Sequence, residues 1–439
     1  MESTASHMIP LLRTDSDTPL MWQAGKPVSR RRFAAAAAAL AERLPPGERT
    51  LNLCQTRFGF CAALVASVLR GQVCVLPGTQ QQRAALQAAG QDATLLTEDP
   101  SNAGITVPRA AANNDEIGEL PEVTANQPAA IVFTSGSTGA PRVHVKTCIS
   151  LLHSGIRIAQ RLLPTDTCVQ IVATVPMHHM YGLETSVALP LVTPHSVLDG
   201  IPVFPEDVRR ALASVPAPRA LITTPVHLRA LINAATRLPP LVRIISATAP
   251  LPVELAAHAE ALFGAPVHEI YGCTEAGSVA SRRSVDGARW QPLAGMQVGH
   301  HGQVAWVTAP HLAGEVVLHD VLETDAQGGF RLLGRDGDLV KVAGKRASLA
   351  SLTHQLLSIP GVVDGIVTQP RGEDRDPLLN RTAALVVAPE LTEIQVLTAL
   401  SRLIDPVFLP RPLHKVDALP RNATGKLRRV DIERLLTHA

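Results

Sequence analysis

The sequence has few charged residues and very few aromatic ones, and neither sign of charge is in excess. Charged residues make up 18% of the 439 positions and aromatic residues 3%, whereas apolar residues make up 46%. This composition does not fit a disordered chain, a collagen or a coiled coil, and it indicates a globular protein. The 40 lysines and arginines balance 38 acids, for a net charge of +2. The balance argues against a protein that binds nucleic acid through bulk charge, and we expect no nucleic-acid partner.

Features that would place the chain in or beyond a membrane are also missing. The longest wholly apolar stretch, 33–41, is far shorter than the ~20 residues of a membrane span. Three arginines precede it, but they begin well inside the chain and no cleavage site follows, so we expect no signal peptide. The six cysteines form no CxxC pair and lie in apolar segments. Disulfides and structural zinc are not expected, and we predict a cytoplasmic protein without a membrane partner.

The order of apolar segments predicts an α/β fold. Helical patterns and short β-like runs alternate at 33–44, 50–53, 58–70, 73–76 and 80–89. Further apolar runs follow at 129–133, 168–173, 220–223 and 242–246. This rhythm is typical of βαβ units in a mainly parallel sheet, and the glycine-rich alternation after Gly287 indicates a small antiparallel β-barrel subdomain. We predict a large N-terminal domain over residues 1–333 and a small α+β domain over 334–439.

A turn rich in hydroxyls and glycines directly follows the run 129–133. Its sequence is TSGSTGAPR, residues 134–142. Glycines let backbone amides approach phosphate oxygens, hydroxyls donate further hydrogen bonds and the final arginine offsets negative charge. The alternative is a flexible Ser/Gly turn without a ligand. The three Gly-Lys pairs, at 25, 344 and 425, precede Pro, Arg and Leu, so none belongs to the P-loop of an ordinary NTPase.

This turn resembles the signature loop of the adenylate-forming superfamily, which contains acyl- and aryl-CoA synthetases, adenylation domains of peptide synthetases and firefly-type luciferases. Four further matches follow in the expected order: EIYGCTE at 269–275, Asp320, the Gly-Arg pair 334–335 whose arginine comes fifteen residues after Asp320, and LPRNATGKLRR at 419–429. The resemblance covers about 29–429 and implies an enzyme that joins a carboxylic acid to a thiol through an acyl-adenylate, consuming ATP with Mg²⁺.

The resemblance also implies roles for individual residues. Those implied to bind ATP or AMP are Thr134, Ser135, Gly136, Ser137, Thr138, Gly139, Arg142, Tyr271, Gly272, Asp320 and Arg335. Thr274 is implied to contact the α-phosphate and Glu275 to support Mg²⁺. Lys426 is implied to be the catalytic lysine, carried by a mobile C-terminal domain.

Three positions depart from the family pattern. Gly337 stands at the hinge, where aspartate or lysine is usual; Arg142 replaces the usual loop lysine; and Ser351 stands where a glutamate is common. Glycine is freer in φ and ψ than the usual hinge residues, so rotation of the small domain is still expected. Arginine keeps the positive charge and adds donors. We therefore predict an active enzyme rather than a non-catalytic nucleotide-binding protein on the same fold, which is the alternative from another class.

The segment 176–182 resembles the Pro-x-x-His-x-x-Gly segment of the family and implies an acyl pocket at His179, Tyr181 and Gly182. Amino-acid-activating relatives carry an aspartate nearby; this segment shows none, which disfavours an amino-acid adenylation domain. An aryl acid or a medium-chain fatty acid suits an apolar pocket. The short N-terminal region and the length resemble ligases that load aryl acids onto carrier proteins in aryl-polyene or xanthomonadin-type pigment biosynthesis, which favours a hydroxybenzoate.

The sequence is compatible with two acceptor thiols, that of an acyl carrier protein and that of CoA. Six basic residues lie between 411 and 429, against Asp417 alone. This charge could meet an acidic acyl carrier protein or the phosphates of CoA, or could simply face water.

Overall fold

The computed structural model describes two compact units of this chain. Its described residues are 7–13, 18–77, 93–102, 104–110, 119–135, 141–302, 304–335, 339–342, 345–370, 381–421, 427 and 429–438. Unit 1 comprises Met1–Gly287, Gln291–Met296 and Thr308–Val316, and unit 2 comprises Ala288–Trp290, Gln297–Val307 and Val317–Ala439. The division between residues 333 and 334 stays a prediction.

Short and medium helices alternate with strands through most of the described residues. The helices are α1 (Arg30–Arg43), α2 (Arg57–Leu69), α3 (Cys148–Leu162), α4 (Met180–Leu183), α5 (Leu189–Val192), α6 (Pro205–Ala213), α7 (Pro225–Asn233), α8 (Val253–Phe263), α9 (Leu349–Leu357), α10 (Glu393–Leu400) and α11 (Arg429–His438). A π-helical turn, Glu184–Ala188, joins α4 to α5, and 3₁₀ turns form at Ser284–Asp286 and Pro406–Phe408. None of these helices has the length and apolar character needed to cross a bilayer.

The strands are mostly short. In the first half of the chain they are β1 (Met8–Ile9), β2 (Pro19–Gln23), β3 (Lys26–Ser29), β4 (Arg49–Asn52), β5 (Val73–Val75), β6 (Thr94–Thr97), β7 (Ile105–Thr106), β8 (Val123–Thr124), β9 (Pro128–Ser135), β10 (Pro141–Thr147), β11 (Gln170–Ala173), β12 (Ser196–Leu198) and β13 (Arg219–Thr223). In the second half they are β14 (Arg243–Ser246), β15 (Val267–Cys273), β16 (Gly277–Arg283), β17 (Arg289–Pro292), β18 (Gln297–His301), β19 (Val304–Thr308), β20 (Val316–Leu318), β21 (Asp320–Thr324), β22 (Phe330–Arg335), β23 (Leu339–Val342), β24 (Lys345–Ser348), β25 (Asp364–Thr368), β26 (Ala383–Val387) and β27 (Leu413–Lys415).

Unit 1 is built on two large sheets. One has the strand order β10-β9-β5-β4-β6-β7, and within this unit the other runs β16-β15-β14-β13-β11-β12-β2-β3. Neighbours from β9 to β7 in the first sheet are parallel, as are those from β15 to β2 in the second. The pairs β9–β10 and β15–β16 are antiparallel. The predicted α/β fold with a mainly parallel sheet is confirmed; the predicted helix at 80–89 lies outside the described residues.

The first helices form where the sequence supplies caps and apolar faces. The hydroxyls of Ser29, Thr56 and Thr147 accept the backbone N–H of the third helical residue in α1, α2 and α3, which satisfies donors left open at a helix start. Helix α2 is buried along almost its whole length. Its nearly continuous apolar sequence suits a helix packed on every side.

Arg30, at the start of α1, is a buried cation that binds backbone carbonyls. The residue is 1% exposed. Nη1 donates to the oxygen of Pro190 at 2.8 Å, and Nη2 donates to the oxygens of Thr193 and His195 at 2.7 and 3.0 Å. The guanidinium therefore ties α1 to the chain that leads from α5 into β12.

Unit 2 has smaller sheets around its own core. Here β22 pairs with β21 along Asp320–Thr324 and with Arg289 and Trp290 of β17. Strand β26, buried over its whole length, lies between antiparallel β25 and parallel β27. Its core includes Val340, Leu352, Leu356, Val367, Ala384, Val386, Val396, Leu400 and Phe408.

Buried histidines should make the stability of unit 1 depend on pH. Burial, aided by the nearby Arg30 cation, lowers the pKa of His195 from 6.5 to about 4. The residue is 2% exposed, and its Nδ1 accepts the N–H of Val169 at 3.2 Å. Between these two pKa values the unfolded chain binds a proton that the folded chain does not. The contribution of His195 to the free energy of unfolding is therefore lost as the pH falls through this window.

We expect His195→Asn to flatten this pH dependence. Asparagine offers an oxygen to the N–H of Val169 but does not titrate. Between about pH 7 and about pH 4 the free energy of unfolding of the variant should therefore fall by about 2 to 3 kcal/mol less than that of the unmodified protein. The measurement is the free energy of unfolding in urea from about pH 7 to about pH 4. His258→Asn, at an exposed histidine of α8, is the matched control and should leave the slope unchanged. An unchanged slope in His195→Asn would contradict the argument.

Candidate active site

The predicted phosphate loop connects two antiparallel strands of unit 1. Strand β9 ends at Ser135 and β10 begins at Pro141, and these two residues are register partners. The predicted ligands Gly136, Ser137, Thr138 and Gly139 fall in the connection, outside the described residues. Thr134 and Arg142 are the next register partners. The described strand ends therefore hold both sides of this loop.

One face of β10 carries three basic side chains behind the loop. Successive side chains of a strand alternate between its faces, so Arg142, His144 and Lys146 share a face. Nε2 of His144 lies 2.9 Å from the Thr134 hydroxyl and 3.8 Å from the Glu275 carboxylate. Burial lowers the pKa of His144, which Lys146 and Arg142 lower further, while Glu275 opposes the shift. His144 is thus a neutral hydrogen-bonding group near pH 7.

The segment predicted to contact the α-phosphate and Mg²⁺ is the turn between β15 and β16. Cys273 and Gly277 are register partners at the strand ends, with Thr274 and Glu275 between them. A Cβ at Gly272 would lie 2.3 Å from the carbonyl oxygen of Gly277, so the strands approach too closely there for a side chain. The structure brings this turn beside the end of the phosphate loop, because Glu275 faces His144.

Two buried charges lie behind this turn. Nζ of Lys146, whose residue is 4% exposed, donates to the carbonyl oxygen of Glu275 at 2.8 Å. The Glu184 carboxylate accepts from the hydroxyls of Ser154 and Ser278 at 2.5 and 2.6 Å and from the N–H of Ser278 at 3.1 Å. Burial lowers the pKa of Lys146 and raises that of Glu184, and each charge offsets the effect on the other.

The predicted acyl-pocket residues lie at the start of α4. His179 is the N-cap residue of this helix, and its ring centroid is 4.5 Å from that of His178. The Tyr181 hydroxyl donates to the carbonyl oxygen of Ile245 at 2.9 Å. A Cβ at Gly182 would lie 2.0 Å from the carbonyl oxygen of Pro176. The glycine is therefore required by close backbone packing, and the acyl-pocket role stays a prediction.

The predicted ribose ligands are neighbours in unit 2. Asp320 begins β21 and Arg335 ends β22, and the two residues are direct register partners. Gly334, just before Arg335, has φ +156°. The fifteen-residue spacing thus corresponds to one antiparallel hairpin that places the two residues side by side.

The remaining predicted residues take no part in the contacts described above. Gly337 at the hinge and Lys426 lie outside the described residues. Ser351 lies in α9, where its N–H donates to the hydroxyl of the N-cap residue Ser348. Within the described residues, no cluster of three or more His, Cys, Asp and Glu side chains could hold a metal ion.

Three residues of the site were not found from the sequence: His144, Lys146 and Glu184. Period-two alternation after Arg142 is a signal for the two on β10, since it places them on one face with the loop arginine. No comparable signal exists for Glu184. Its role depends on a π-helical turn that packs against the start of β16.

Comparison with known proteins finds a matching family model and matching relatives. The model of the AMP-binding enzyme family matches residues 30–316. A sulfoacetate–CoA ligase of Cupriavidus necator is 27% identical over 405 residues, covering 81% of this chain and 76% of that protein. An anthranilate–CoA ligase of Pseudomonas aeruginosa is 27% identical over 494 residues, covering 96% of this chain and 94% of that protein.

A solved structure shows the same fold. O-succinylbenzoate coenzyme A synthetase (MenE) from Bacillus subtilis, in complex with AMP, superimposes with a TM-score of 0.82 at 20% sequence identity, covering 97% of this chain and 98% of that one. The predicted combination of a large N-terminal and a smaller C-terminal domain is confirmed at the level of the fold. Since the family match spans more than half of the sequence, this chain belongs to the AMP-binding enzyme family.

Proposed function

We propose that this chain is an ATP-dependent acid–thiol ligase that adenylates an aryl carboxylic acid. A hydroxybenzoate is the leading candidate for the acid. The acyl group then passes to CoA or to the phosphopantetheine thiol of an acyl carrier protein. The observation that carries the proposal is the contact between the phosphate-loop hairpin and the turn holding Thr274 and Glu275. It joins two segments that are 129 residues apart, each suited to phosphate.

Joining a carboxylic acid to a thiol requires prior activation by ATP, because a carboxylate is a poor electrophile. Attack of the carboxylate on the α-phosphorus forms a mixed anhydride with AMP and releases pyrophosphate. Two anionic groups must approach, and donors and cations that neutralise the developing charge lower the barrier. The hydroxyls of Thr134 and Thr274 and the cation of Arg142 are proposed to act on the phosphates, with Tyr271 and Gly272 beside the nucleotide. Thiol attack on the acyl carbon then releases AMP.

The donor set near the turn fits Mg²⁺. The Glu275 side chain is 40% exposed, and magnesium is commonly bound through one or two carboxylates together with substrate phosphates. We propose that Glu275 holds the ion and that the ion neutralises phosphate charge. In unit 2, Asp320 and Arg335 are proposed to bind the ribose hydroxyls.

The choice of acid rests on chemistry and on relatives. Burial lowers the pKa of His178, whose ring lies 4.5 Å from that of His179. We propose that these two imidazoles line the acyl site, where a neutral His178 suits an uncharged ring. Several relatives are named for aryl acids, among them the anthranilate–CoA ligase, 4-coumarate–CoA ligase of Halorhodospira halophila and 2-succinylbenzoate–CoA ligase of Bacillus velezensis. A medium-chain-fatty-acid–CoA ligase of Ectopseudomonas oleovorans is another relative, which supports keeping fatty acids as the second candidate.

Pyrophosphate exchange into ATP tests the proposal. The panel is benzoate, hydroxybenzoates, aminobenzoates, cinnamates, medium-chain fatty acids and amino acids, and we expect the largest exchange with a hydroxybenzoate. The best acid is then offered with CoA and with holo carrier protein, and the product masses identify the thiol. Exchange restricted to fatty or amino acids would overturn the aryl assignment. ATP binding without exchange for any acid would favour the non-catalytic alternative.

A further inference from the structure

Lys146 is a buried cation whose position is not explained by packing alone. Lysine is rarely buried without a partner, because its ammonium loses hydration. Here Nζ donates to a main-chain oxygen, the carbonyl of Glu275, across 129 positions of sequence. The bond ties β10, which follows the phosphate loop, to the turn between β15 and β16.

Glu184 holds the same turn three residues later, at the start of β16. Its carboxylate accepts both the N–H and the hydroxyl of Ser278, the second residue of β16. It also approaches Gly277 so closely that a Cβ there would lie 2.3 Å from Oε1, and Gly277 has φ +78°. The carboxylate therefore sits directly against the turn, and its charge stabilises the ammonium of Lys146.

We propose that Lys146 and Glu184 are positioning residues for adenylation. They hold the main chain of the turn at the carbonyl of Glu275 and at Ser278, so that the Glu275 carboxylate and the Thr274 hydroxyl meet the phosphates and Mg²⁺ in one fixed geometry. This inference rests on the proposed function. Both residues are buried and bind protein groups: Lys146 binds the carbonyl of Glu275, whose side chain is 40% exposed. Fixing the main chain in this way restricts where the carboxylate can point.

We expect Lys146→Met to slow pyrophosphate exchange about 10- to 100-fold, since small misplacements of a binding group have effects of this size. Methionine fills a similar volume but cannot donate to the carbonyl of Glu275. The concentration of Mg²⁺ needed for half-maximal exchange should rise, because the proposed ligand is less well held. The KM for the acid should change little. Lys26→Met, at an exposed lysine of β3 in the same unit, is the control and should match the unmodified protein.

The double variant Lys146→Met/Glu184→Gln separates positioning from simple stabilisation. It replaces both charges with neutral groups of similar size, so the free energy of unfolding should recover relative to Lys146→Met. Exchange should stay slow and the Mg²⁺ requirement high, because the carbonyl of Glu275 still lacks its donor. Recovery of the rate together with stability would show a merely structural role and overturn the proposal, as would exchange at the normal rate in Lys146→Met.

Hydrogen–deuterium exchange of the backbone amides measures how firmly the turn between β15 and β16 is held, and it does not depend on catalysis. In Lys146→Met, peptides covering 270–280 should exchange faster, whereas peptides covering β13 should not change. Unaltered exchange at 270–280 would overturn the proposal even if activity fell. If the unmodified protein showed no pyrophosphate exchange with any acid, the proposed function would fail by itself, and hydrogen exchange would still decide whether Lys146 holds the turn.

Discussion

Lys426→Ala is expected to lower the rate of pyrophosphate exchange by about two to three orders of magnitude. A preorganised donor that stabilises charge in a transition state commonly contributes ~3 to 4 kcal/mol, which corresponds to this loss. The residue lies outside the described part of the chain, and its role is proposed from the segment LPRNATGKLRR. In adenylation it would offset the negative charge gathered by the carboxylate and the departing pyrophosphate.

The same variant should behave differently in the second step. When the acyl-adenylate is supplied ready-made, pyrophosphate has already left and the acid carries no carboxylate charge, so thioester formation needs less of this neutralisation. We expect transfer to the thiol to fall much less than exchange. Arg434→Ala, at an exposed cation of α11, is the control for removing a positive charge from this region. A normal rate of pyrophosphate exchange in Lys426→Ala would show that this residue is not catalytic.

Arg30→Met is expected to lower the free energy of unfolding by about 3 to 5 kcal/mol, the size of effect seen when one partner of a buried charged network is removed. Besides the three short bonds to Pro190, Thr193 and His195, the guanidinium lies 3.4 Å from the oxygen of Arg13 and 3.5 Å from that of Leu191. Methionine can fill the space of the side chain but leaves these carbonyls without their donor, and unsatisfied buried carbonyls are costly.

Urea unfolding of the full chain measures this loss, and Arg31→Met is its matched control. Arg31 is the next residue of α1 and is exposed, so the same substitution there should change the free energy of unfolding by no more than about 0.5 kcal/mol. Equal effects of the two substitutions would show that the buried hydrogen bonds of Arg30 do not contribute. A loss confined to Arg30→Met would confirm its role in joining α1 to the chain before β12.

These arginines show why sequence reasoning reaches some features and not others. Arg30, Arg31 and Arg32 are one basic cluster in the sequence, and nothing in their order separates a buried residue from an exposed one. The difference arises because Arg30 directly follows the N-cap residue Ser29 and faces carbonyls some 160 positions later. Contacts over such distances leave no local pattern.

Some residues of the candidate site could likewise be predicted from local sequence, whereas others depend on contacts between distant parts of the chain. Short motifs were enough to predict the phosphate loop, the turn with Thr274 and Glu275, and the pair Asp320 and Arg335, because each predicted role depends on residues adjacent in the chain or on one hairpin. The positions of His144 and Lys146 needed the register of β10 against β9 and the approach of a turn 129 residues away.

By itself, therefore, the sequence determined the α/β class, the membership in an adenylate-forming family and the segments that suit phosphate. Periodicity, glycine and hydroxyl content and motif order are local properties, and they are sufficient for those conclusions. Only the tertiary structure decided which charges are buried together behind the turn. Burial of Lys146 and Glu184 is stable because each finds partners on other elements, and the free energy of such a pair depends on three-dimensional packing rather than on sequence spacing.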